Sequence, residues 1–234
     1  MATSTVMKLS VAAIGTAFIT LGTISTAKAA LINFDTDASD NSINASSSFI
    51  NSNALTNLYA PLGLNFSGPA QLSGGSILDQ LGNFGVNALS GSNFLAFNRD
   101  TILSNGGIPT DPETISFADP ISDFSIFASG GFESNTFQVQ AFDINNLLLG
   151  ASTINTAVGE WGQLNFSSSL GNISRVILTG IGEDNAFVYD NLSFTPARKS
   201  VPESGAMLGL LAFGVYGTTS FLKRKQKHKT ASQA

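Results

Sequence analysis

The stretch ISDFSIFASGGFESNTFQVQAFD, residues 121–143, decides the fold class of this 234-residue chain. Apolar residues occupy alternate positions in FSIFA and again in FQVQAF, which is the period-two pattern of a strand with one buried face. Gly130 and Gly131 stand between the two runs and favour a turn. The stretch therefore predicts two β-strands separated by a turn.

The same pattern recurs through the middle of the chain. Alternating or β-branched runs, separated by polar turn-forming residues, are LINFD, LGLNFSG, NFLAFN, TISFA, ISDFSIFAS, NTFQVQAFD, NLLLGAST, WGQLNFSS, ISRVILTGI and AFVYDNLSFT. No window of comparable length carries a helical stripe of apolar residues. About ten short strands predict one all-β domain over residues 30–197, an antiparallel sandwich of the jelly-roll type. The segment from Asn98 to Thr114 lacks strand character and predicts one long loop.

Charge is unevenly distributed along the sequence. The region from Ala30 to Ser200 contains eleven Asp and four Glu against four Lys and Arg, which leaves a formal net charge of −11. A domain this acidic is repelled by nucleic acid, so we expect no nucleic-acid partner. The same charge favours uptake of divalent cations and solubility in an anionic matrix.

The chain has no cysteine, and its one histidine is His228 near the C-terminal end. Thiol catalysis, Cys–zinc sites, Ser-His-Asp triads and His-ligated metals are therefore excluded from the predicted domain. A carboxylate pair acting on a glycosidic bond remains as enzyme chemistry. The available glutamates are Glu113, Glu133, Glu160 and Glu183. None lies in the Glu-x-Asp-x-Glu arrangement of jelly-roll glucanases, and their Gly, Pro and Asn neighbours predict solvated loop charges, so we expect no enzyme.

Residues 1–29 have the organisation of a signal peptide. Lys8 supplies a positive n-region, an apolar stretch follows from Val11 to Ile24, and Ala27 and Ala29 form the small-x-small pattern of a cleavage site. The apolar stretch is too short for a comfortable membrane span. We therefore predict export and cleavage by signal peptidase after Ala29, with an uncleaved anchor as the alternative.

The C-terminal end has three parts in a fixed order. A motif in residues 198–204, an apolar segment from Gly205 to Leu222 and a basic tail at 223–234 follow one another. The motif residues are Val201, Pro202, Glu203 and Ser204, and the basic cluster begins with Lys223, Arg224 and Lys225. A helix of the eighteen residues in this segment spans about 27 Å, just enough for a bilayer core. Positive charge beyond the helix stays cytoplasmic and leaves the acidic domain outside.

This tail resembles the PEP-CTERM sorting signal of exosortase systems, in which a Val-Pro-Glu-Pro motif precedes a short membrane helix and a basic cluster. The departure is Ser204, where the family usually has proline. The resemblance implies an exosortase-like membrane protease or transpeptidase as a partner, which would cut at the motif. The alternative is a plain type I membrane anchor with a stop-transfer cluster.

Three motifs of the middle region also resemble a family. INFDTDASDNSIN, LYAPLGLNFSG and YDNLSFTPA are similar to the β-rich domains that such proteins carry, especially in cyanobacteria. In jelly-roll carbohydrate-binding modules, a last strand similar to YDNLSF lies beside the first strand. The resemblance therefore implies that Asp190 lies close to Phe34 and Asp35.

This placement leads to a calcium hypothesis. Ca²⁺ binds six to eight hard oxygen atoms. The candidate ligands, with nearby carbonyl groups, are Asp35, Asp37, Asp40 and Asp190. The spacing is not that of an EF-hand, since Ser39 replaces an acidic ligand and no Glu closes the loop. The alternative is that these aspartates bind local backbone N–H groups in turns and at strand ends. No other cofactor is expected.

Aromatic residues provide the candidate sugar contacts. Trp161 follows Gly159 at a predicted strand start, which would leave its indole at a sandwich rim, and a ring that covers the core or rim is the alternative. Tyr59, Tyr189 and Phe132 complete the set. The function predicted first is a non-catalytic cell-surface or extracellular-matrix protein, sorted and processed through its tail. A carbohydrate-binding module with the same anchoring is the second candidate, and a carboxylate glycosidase is the third.

Overall fold

The computed structural model describes residues 28–69, 74–182 and 186–197. In these ranges the chain forms ten strands: β1 (Ala30–Ile32), β2 (Leu64–Ser67), β3 (Ser76–Asp79), β4 (Asn93–Phe97), β5 (Glu113–Ser129), β6 (Asn135–Phe142), β7 (Leu148–Thr156), β8 (Gly162–Ser167), β9 (Ile173–Gly180) and β10 (Phe187–Pro196). Every pairing between these strands is antiparallel. Short 3-10 turns occur at Phe49–Asn51, Ala60–Leu62 and Gln80–Gly82. The prediction of an all-β, antiparallel domain is confirmed.

The predicted features at the two ends of the chain lie outside the described residues. These are the signal peptide up to Ala27, the sorting motif, the apolar segment 205–222 and the basic cluster. Ala29 is described and directly precedes β1. Within the described ranges, no helix has the length and apolarity that crossing a bilayer requires.

Strand β5 passes from one layer of strands to another. Its first part, residues 113–117, pairs with β2 and β9, whereas residues 123–129 pair with β8 and β10. Residues 118–120 are exposed at the change of partners, where the register shifts. Pro120 is tolerated there because no sheet partner needs its missing N–H group. The sequence predicted two strands separated at Asp119-Pro120, which is wrong: the two segments form one bent strand.

The two layers face each other as a sandwich. All ten strands belong to one continuous hydrogen-bonded sheet, which the change of partners along β5 divides into two layers. The first layer contains β2, the start of β5, β9, β6 and β7. The second contains β3, β4, β10, the end of β5 and β8, with β1 also paired to β10. The ring of Phe137 on β6 lies 5.6 Å from the rings of both Phe187 and Tyr189 on β10, measured between centroids. Since β6 and β10 are not paired, these contacts cross the interior between the layers.

The core follows the alternation that the sequence predicts. On β6, Phe137, Val139 and Ala141 are fully buried, while the residues between them are half-buried. Strand β4 differs because all five of its residues are buried. Leu95 and Phe97 face the main core, and Phe94 and Ala96 pack beneath a second cluster that contains Phe49 and Phe84. Loop segments therefore cover the outer face of β4, and the groove described below lies among them.

Two further sequence predictions need correction. The strand SILD, which forms β3, was missed because four residues are too few for a clear period. The predicted loop from Asn98 to Thr114 ends at Pro112, since Glu113 and Thr114 already pair with Leu178 and Ile177 of β9.

Candidate functional site

A surface groove of about 510 Å³ lies on the covered side of β4. Its lining comes from the segment around the Phe49–Asn51 turn, the residues after β3, the loop after β4 and the turn between β5 and β6. The lining residues are Ser47, Ser48, Phe49, Ile50, Gly82, Asn83, Phe84, Asn98, Thr101, Gly130, Phe132, Glu133 and Ala186. Phe132 is 60% exposed and Ile50 is 66% exposed. The groove thus combines exposed apolar side chains with amides, hydroxyls and one carboxylate.

The turn between β5 and β6 holds Phe132 in the open. Gly131 has φ +62°, and a Cβ there would collide with the carbonyl oxygen of Phe84. The Gly131 N–H donates to Ser129 Oγ at 3.1 Å. On the other side of the contact, a Cβ on Gly85 would lie 2.6 Å from the backbone nitrogen of Phe132. The turn thus lies tightly against the backbone of Phe84 and Gly85, and the Phe132 ring is exposed there.

Buried rings form the base of the same groove. Phe84 makes edge contacts with Phe94 at 5.0 Å and with Phe49 at 5.7 Å between ring centroids. Phe49 and Phe84 are 7% and 8% exposed, so only their edges reach the groove. These edge contacts favour a fixed base, above which Phe132 and Ile50 present their side chains to solvent.

The other candidate aromatic residues are placed differently. Tyr59 and Tyr189 are buried in the main core and cannot contact a ligand from solvent. Trp161 is half-buried, packs against the cluster of Phe49 and Phe84, and donates from Nε1 to the carbonyl oxygen of Asn87 at 3.1 Å. Its indole therefore covers part of the rim, and its role as a glycan contact stays a prediction.

Asp35 and Asp190 come close together in the structure. β1 pairs with β10, as the family resemblance implies, with Ile32 opposite Leu192. Asp190 is fully buried, and its pKa is raised to about 6, first by burial and also by the charge of Asp35. Hydrogen bonds from the backbone N–H groups of Ser90, Asn191 and Leu89 oppose this rise in pKa.

Asp37 and Asp40 belong to a separate turn. Asp37 Oδ1 accepts from the backbone N–H groups of Ser39 at 2.8 Å and Asn41 at 3.0 Å, and these bonds with the Asn41 side chain lower its pKa. Asp40 is exposed with φ +62°. Among the described residues, no three His, Cys, Asp or Glu side chains form a group that could hold a metal ion. The structure thus unites two of the four predicted calcium ligands, and calcium binding by the set stays a prediction.

A second pair of carboxyl groups was missed by the sequence analysis. Glu113, predicted to be a solvated loop charge, is the first residue of β5 and is 0% exposed. Asp111 is 6% exposed, and its Oδ2 accepts from the Gly180 N–H at 2.5 Å. The alternation of buried and outward positions along the strand could have predicted this burial, because Glu113 faces the same side as the buried Ile115 and Phe117. Glu133 and Glu160 are exposed as predicted, and Glu183 lies outside the described residues.

Burial controls the protonation of this pair. It raises the pKa of Asp111 to about 7, although the Gly180 hydrogen bond and the positive charge of Arg99 both lower it. Burial also raises the pKa of Glu113 well above its ordinary value, and the Asp111 charge adds to this. The Tyr189 hydroxyl lies near both carboxyls, which raise its pKa further after burial. Groups this deeply buried cannot contact a sugar ring in solvent.

Comparison with known proteins finds structural similarity at low sequence identity. No protein-family model and no curated protein matches the sequence. The chain is similar to the K2 cleaved adhesin domain of Lys-gingipain of Porphyromonas gingivalis, at 13% identity and a TM-score of 0.44 over 72% of this chain and 99% of that one. It is also similar to the CBM22-1 xylan-binding domain of Paenibacillus barcinonensis Xyn10C, at 12% identity and a TM-score of 0.40 over 75% and 98%. A DUF4465 family protein of Bacteroides caccae is also similar, at 10% identity and a TM-score of 0.40 over 76% of this chain and 98% of that one.

Proposed function

We propose that this chain is an exported, non-catalytic cell-surface or extracellular-matrix protein whose jelly-roll-like sandwich binds a neutral polysaccharide in the groove beside Phe132. The supporting observation is the Phe132 ring, 60% exposed at the mouth of a groove of about 510 Å³. A buried aromatic or aliphatic side chain contributes about 1.5–3 kcal/mol to stability, which a ring held in solvent forgoes. A sugar ring stacked on Phe132 would cover it.

The polar lining favours a sugar over an apolar ligand. Asn83, Asn98, Thr101 and Glu133 provide donors and acceptors for hydroxyl groups around the aromatic ring. None of the described lining residues is Lys or Arg, and the surrounding domain is strongly acidic. An anionic glycan would therefore be repelled, and a neutral one is the expected ligand.

The carboxyl groups support binding without hydrolysis. A glycosidase needs two carboxyl groups on either side of the scissile bond, at about 5–5.5 Å for retention or 6.5–9.5 Å for inversion. Glu133 is the one acidic residue among the described lining residues of the groove. Asp111 and Glu113 are close together in sequence but buried away from solvent. The glycosidase alternative thus has no pair of carboxyl groups among the described residues that line the groove.

Binding of the full chain, purified in mild detergent, to insoluble neutral polysaccharides tests this proposal. Xylan, cellulose, β-glucan and starch are the probes, with retained protein measured after washing. We expect Phe132→Ala to weaken binding at least tenfold. Leu170→Ala is the matched control, since Leu170 is 82% exposed and is not among the residues that line the groove.

Each contrary result has a definite meaning. Full binding by Phe132→Ala, with loss of binding by Trp161→Ala, would move the site to the rim at Trp161. Binding to none of the polysaccharides would contradict the glycan proposal. Release of reducing sugar, lost on Glu133→Gln, would replace it with the glycosidase alternative.

Sorting through the tail is part of the same proposal. It is supported by the order of Val201-Pro202-Glu203-Ser204, the apolar segment 205–222 and the basic cluster from Lys223, together with the signal-peptide pattern at the N-terminus. An exosortase-like enzyme would cut near the motif and pass the domain to the cell surface. The acidic domain would then remain outside, where a polysaccharide ligand is available.

A further inference from the structure

Four buried oxygen atoms in the interior have no hydrogen-bond partners, and the charges of the two carboxyl groups among them act on each other and on the tyrosine hydroxyl. They are Oδ1 of Asp111, both carboxyl oxygens of Glu113 and the hydroxyl of Tyr189. Asp111 and Glu113 lie at the entrance to β5, and Tyr189 comes from β10. All three side chains are less than a tenth exposed. Leaving one such group without a partner costs about 1–3 kcal/mol, so three side chains with unpartnered atoms require an explanation.

The backbone around Glu113 makes room for this cluster. Gly74 has no side chain, and a Cβ there would collide with the Glu113 carboxyl and approach the carbonyl oxygen of Thr110. The Gly74 N–H lies beside Glu113 and lowers its pKa. Neither carboxyl oxygen nevertheless makes a bond of acceptable geometry. A side chain on residue 74 would fill the space that the carboxyl and carbonyl oxygens share.

The chemistry of these atoms indicates a cation. All are hard oxygen donors, and the two carboxylates together carry two negative charges. Arg99 offsets part of the negative charge of Asp111, but without an ion the ionisation of Glu113 in the interior is strongly disfavoured. A divalent cation would balance the charge and partner the carboxylates, the phenol oxygen and the Thr110 carbonyl together. Ca²⁺ takes six to eight oxygen atoms in irregular geometry, so the five atoms named here would need further oxygen ligands, whereas Mg²⁺ demands octahedral geometry.

We propose that Asp111, Glu113 and Tyr189, with the Thr110 carbonyl, form a buried calcium site that joins the start of β5 to β10. This site is separate from the aspartates of the calcium hypothesis drawn from the sequence. It is also separate from the groove, because none of its residues lines that surface. Calcium here would act on stability, and Glu113→Gln should bind polysaccharide as the unchanged chain does.

Calcium binding by the full chain in mild detergent tests the site directly. After removal of metal with EGTA, equilibrium dialysis against radioactive Ca²⁺ measures the number of bound ions, and thermal melting measures stabilisation. We expect Ca²⁺ at a hundredfold excess over Kd to raise Tm by roughly 5–10 °C. Glu113→Gln keeps the side-chain shape and should abolish one bound ion with its Tm shift. Asp190→Asn removes a carboxylate of the other pair and should leave both unchanged.

A second measurement keeps the test decisive if Glu113→Gln fails to fold. Tb³⁺ binds calcium sites and is excited through a nearby tyrosine. Tyr189→Phe retains the packed ring but should remove most of the sensitised emission, whereas Tyr59→Phe should retain it. The proposal is overturned if the wild-type chain binds no calcium ion. It is equally overturned if binding survives in Glu113→Gln and disappears in Asp190→Asn.

Discussion

Asp35 and Asp190 accept hydrogen bonds from the two halves of one loop. Asp35 Oδ1 accepts from the N–H groups of Ser92 at 2.8 Å and Asn93 at 3.1 Å. Asp190 Oδ2 accepts from those of Leu89 at 2.8 Å and Ser90 at 3.2 Å. The loop before β4 is therefore held by one carboxylate from the segment after β1 and one from within β10, which fixes the start of β4 against β10.

Gly91 lies between these two halves and should not tolerate a side chain. It has φ +59°, and a Cβ there would collide with the Asp35 carboxyl. Gly91→Ala should therefore lose the Asp35 hydrogen bonds in addition to adopting a strained backbone. Gly106→Ala is the matched control, because Gly106 has φ +82° with no atom within 4 Å of the added Cβ. In urea unfolding, we expect a cost of about 1 kcal/mol for Gly106→Ala and about 1–3 kcal/mol more for Gly91→Ala. Equal costs would mean that Asp35 does not hold the loop.

Acid should stabilise the metal-free protein through Asp190. Its pKa is about 6 in the folded chain against an ordinary value of 3.8. Between these values the folded state binds more protons than the unfolded state, so the free energy of unfolding falls as pH rises from about 4 to 6. Urea unfolding in EGTA at pH 4.5 and pH 7.5 measures the difference. Asp190→Asn should reduce the difference by about 1–2 kcal/mol.

Asp111 acts in the same direction, because its pKa is raised to about 7. Some dependence on pH should therefore remain in Asp190→Asn. An identical pH dependence in both proteins would show that Asp190 ionises in the folded state as freely as in the unfolded chain.

The sequence predicted the strands well where one face is buried along their whole length. Phe124, Ile126 and Ala128 in β5 and the matching positions in β6 are inward, as the alternation requires. The break predicted at Asp119-Pro120 was wrong because a turn signal is local. Whether a strand ends at proline or continues with new partners depends on residues far away in sequence. Here the Gly63 carbonyl accepts from the Ala118 N–H, and the Ala197 N–H donates to the Pro120 carbonyl.

The candidate sites were harder to predict for a related reason. The residues next to Glu113 in the sequence indicated a loop, whereas its position two residues before Ile115 indicated the same buried face of a strand. In the structure, Glu113 lies on that buried face. Phe132 was one aromatic residue among several in the sequence. It is exposed beside the close approach of Gly131 to the backbone of Phe84, a tertiary contact that no local pattern reveals.

Two phenylalanines five residues apart should respond oppositely to alanine substitution. Phe137 is fully buried and contacts the rings of Phe187 and Tyr189 across the sandwich. Phe137→Ala should cost about 3–5 kcal/mol in unfolding free energy. Phe132→Ala should stay within about 0.5 kcal/mol of the unchanged chain, while losing polysaccharide binding. A large loss of stability in Phe132→Ala would mean that the ring supports the fold and is not held open for a ligand.

Processing at the tail should depend on Glu203. If an exosortase-like enzyme reads Val201-Pro202-Glu203-Ser204, the native host should contain a form that begins near Ala30, ends between Val201 and Glu203, and lies outside the inner membrane. Intact mass and cell fractionation identify it. Glu203→Gln should block its release, whereas Glu160→Gln, which changes an exposed glutamate within the domain, should not. A single membrane-bound species that retains Lys223 to Ala234 in all three proteins would contradict sorting. The tail would then be a plain anchor, with Ser204 in place of proline as the first difference to reverse.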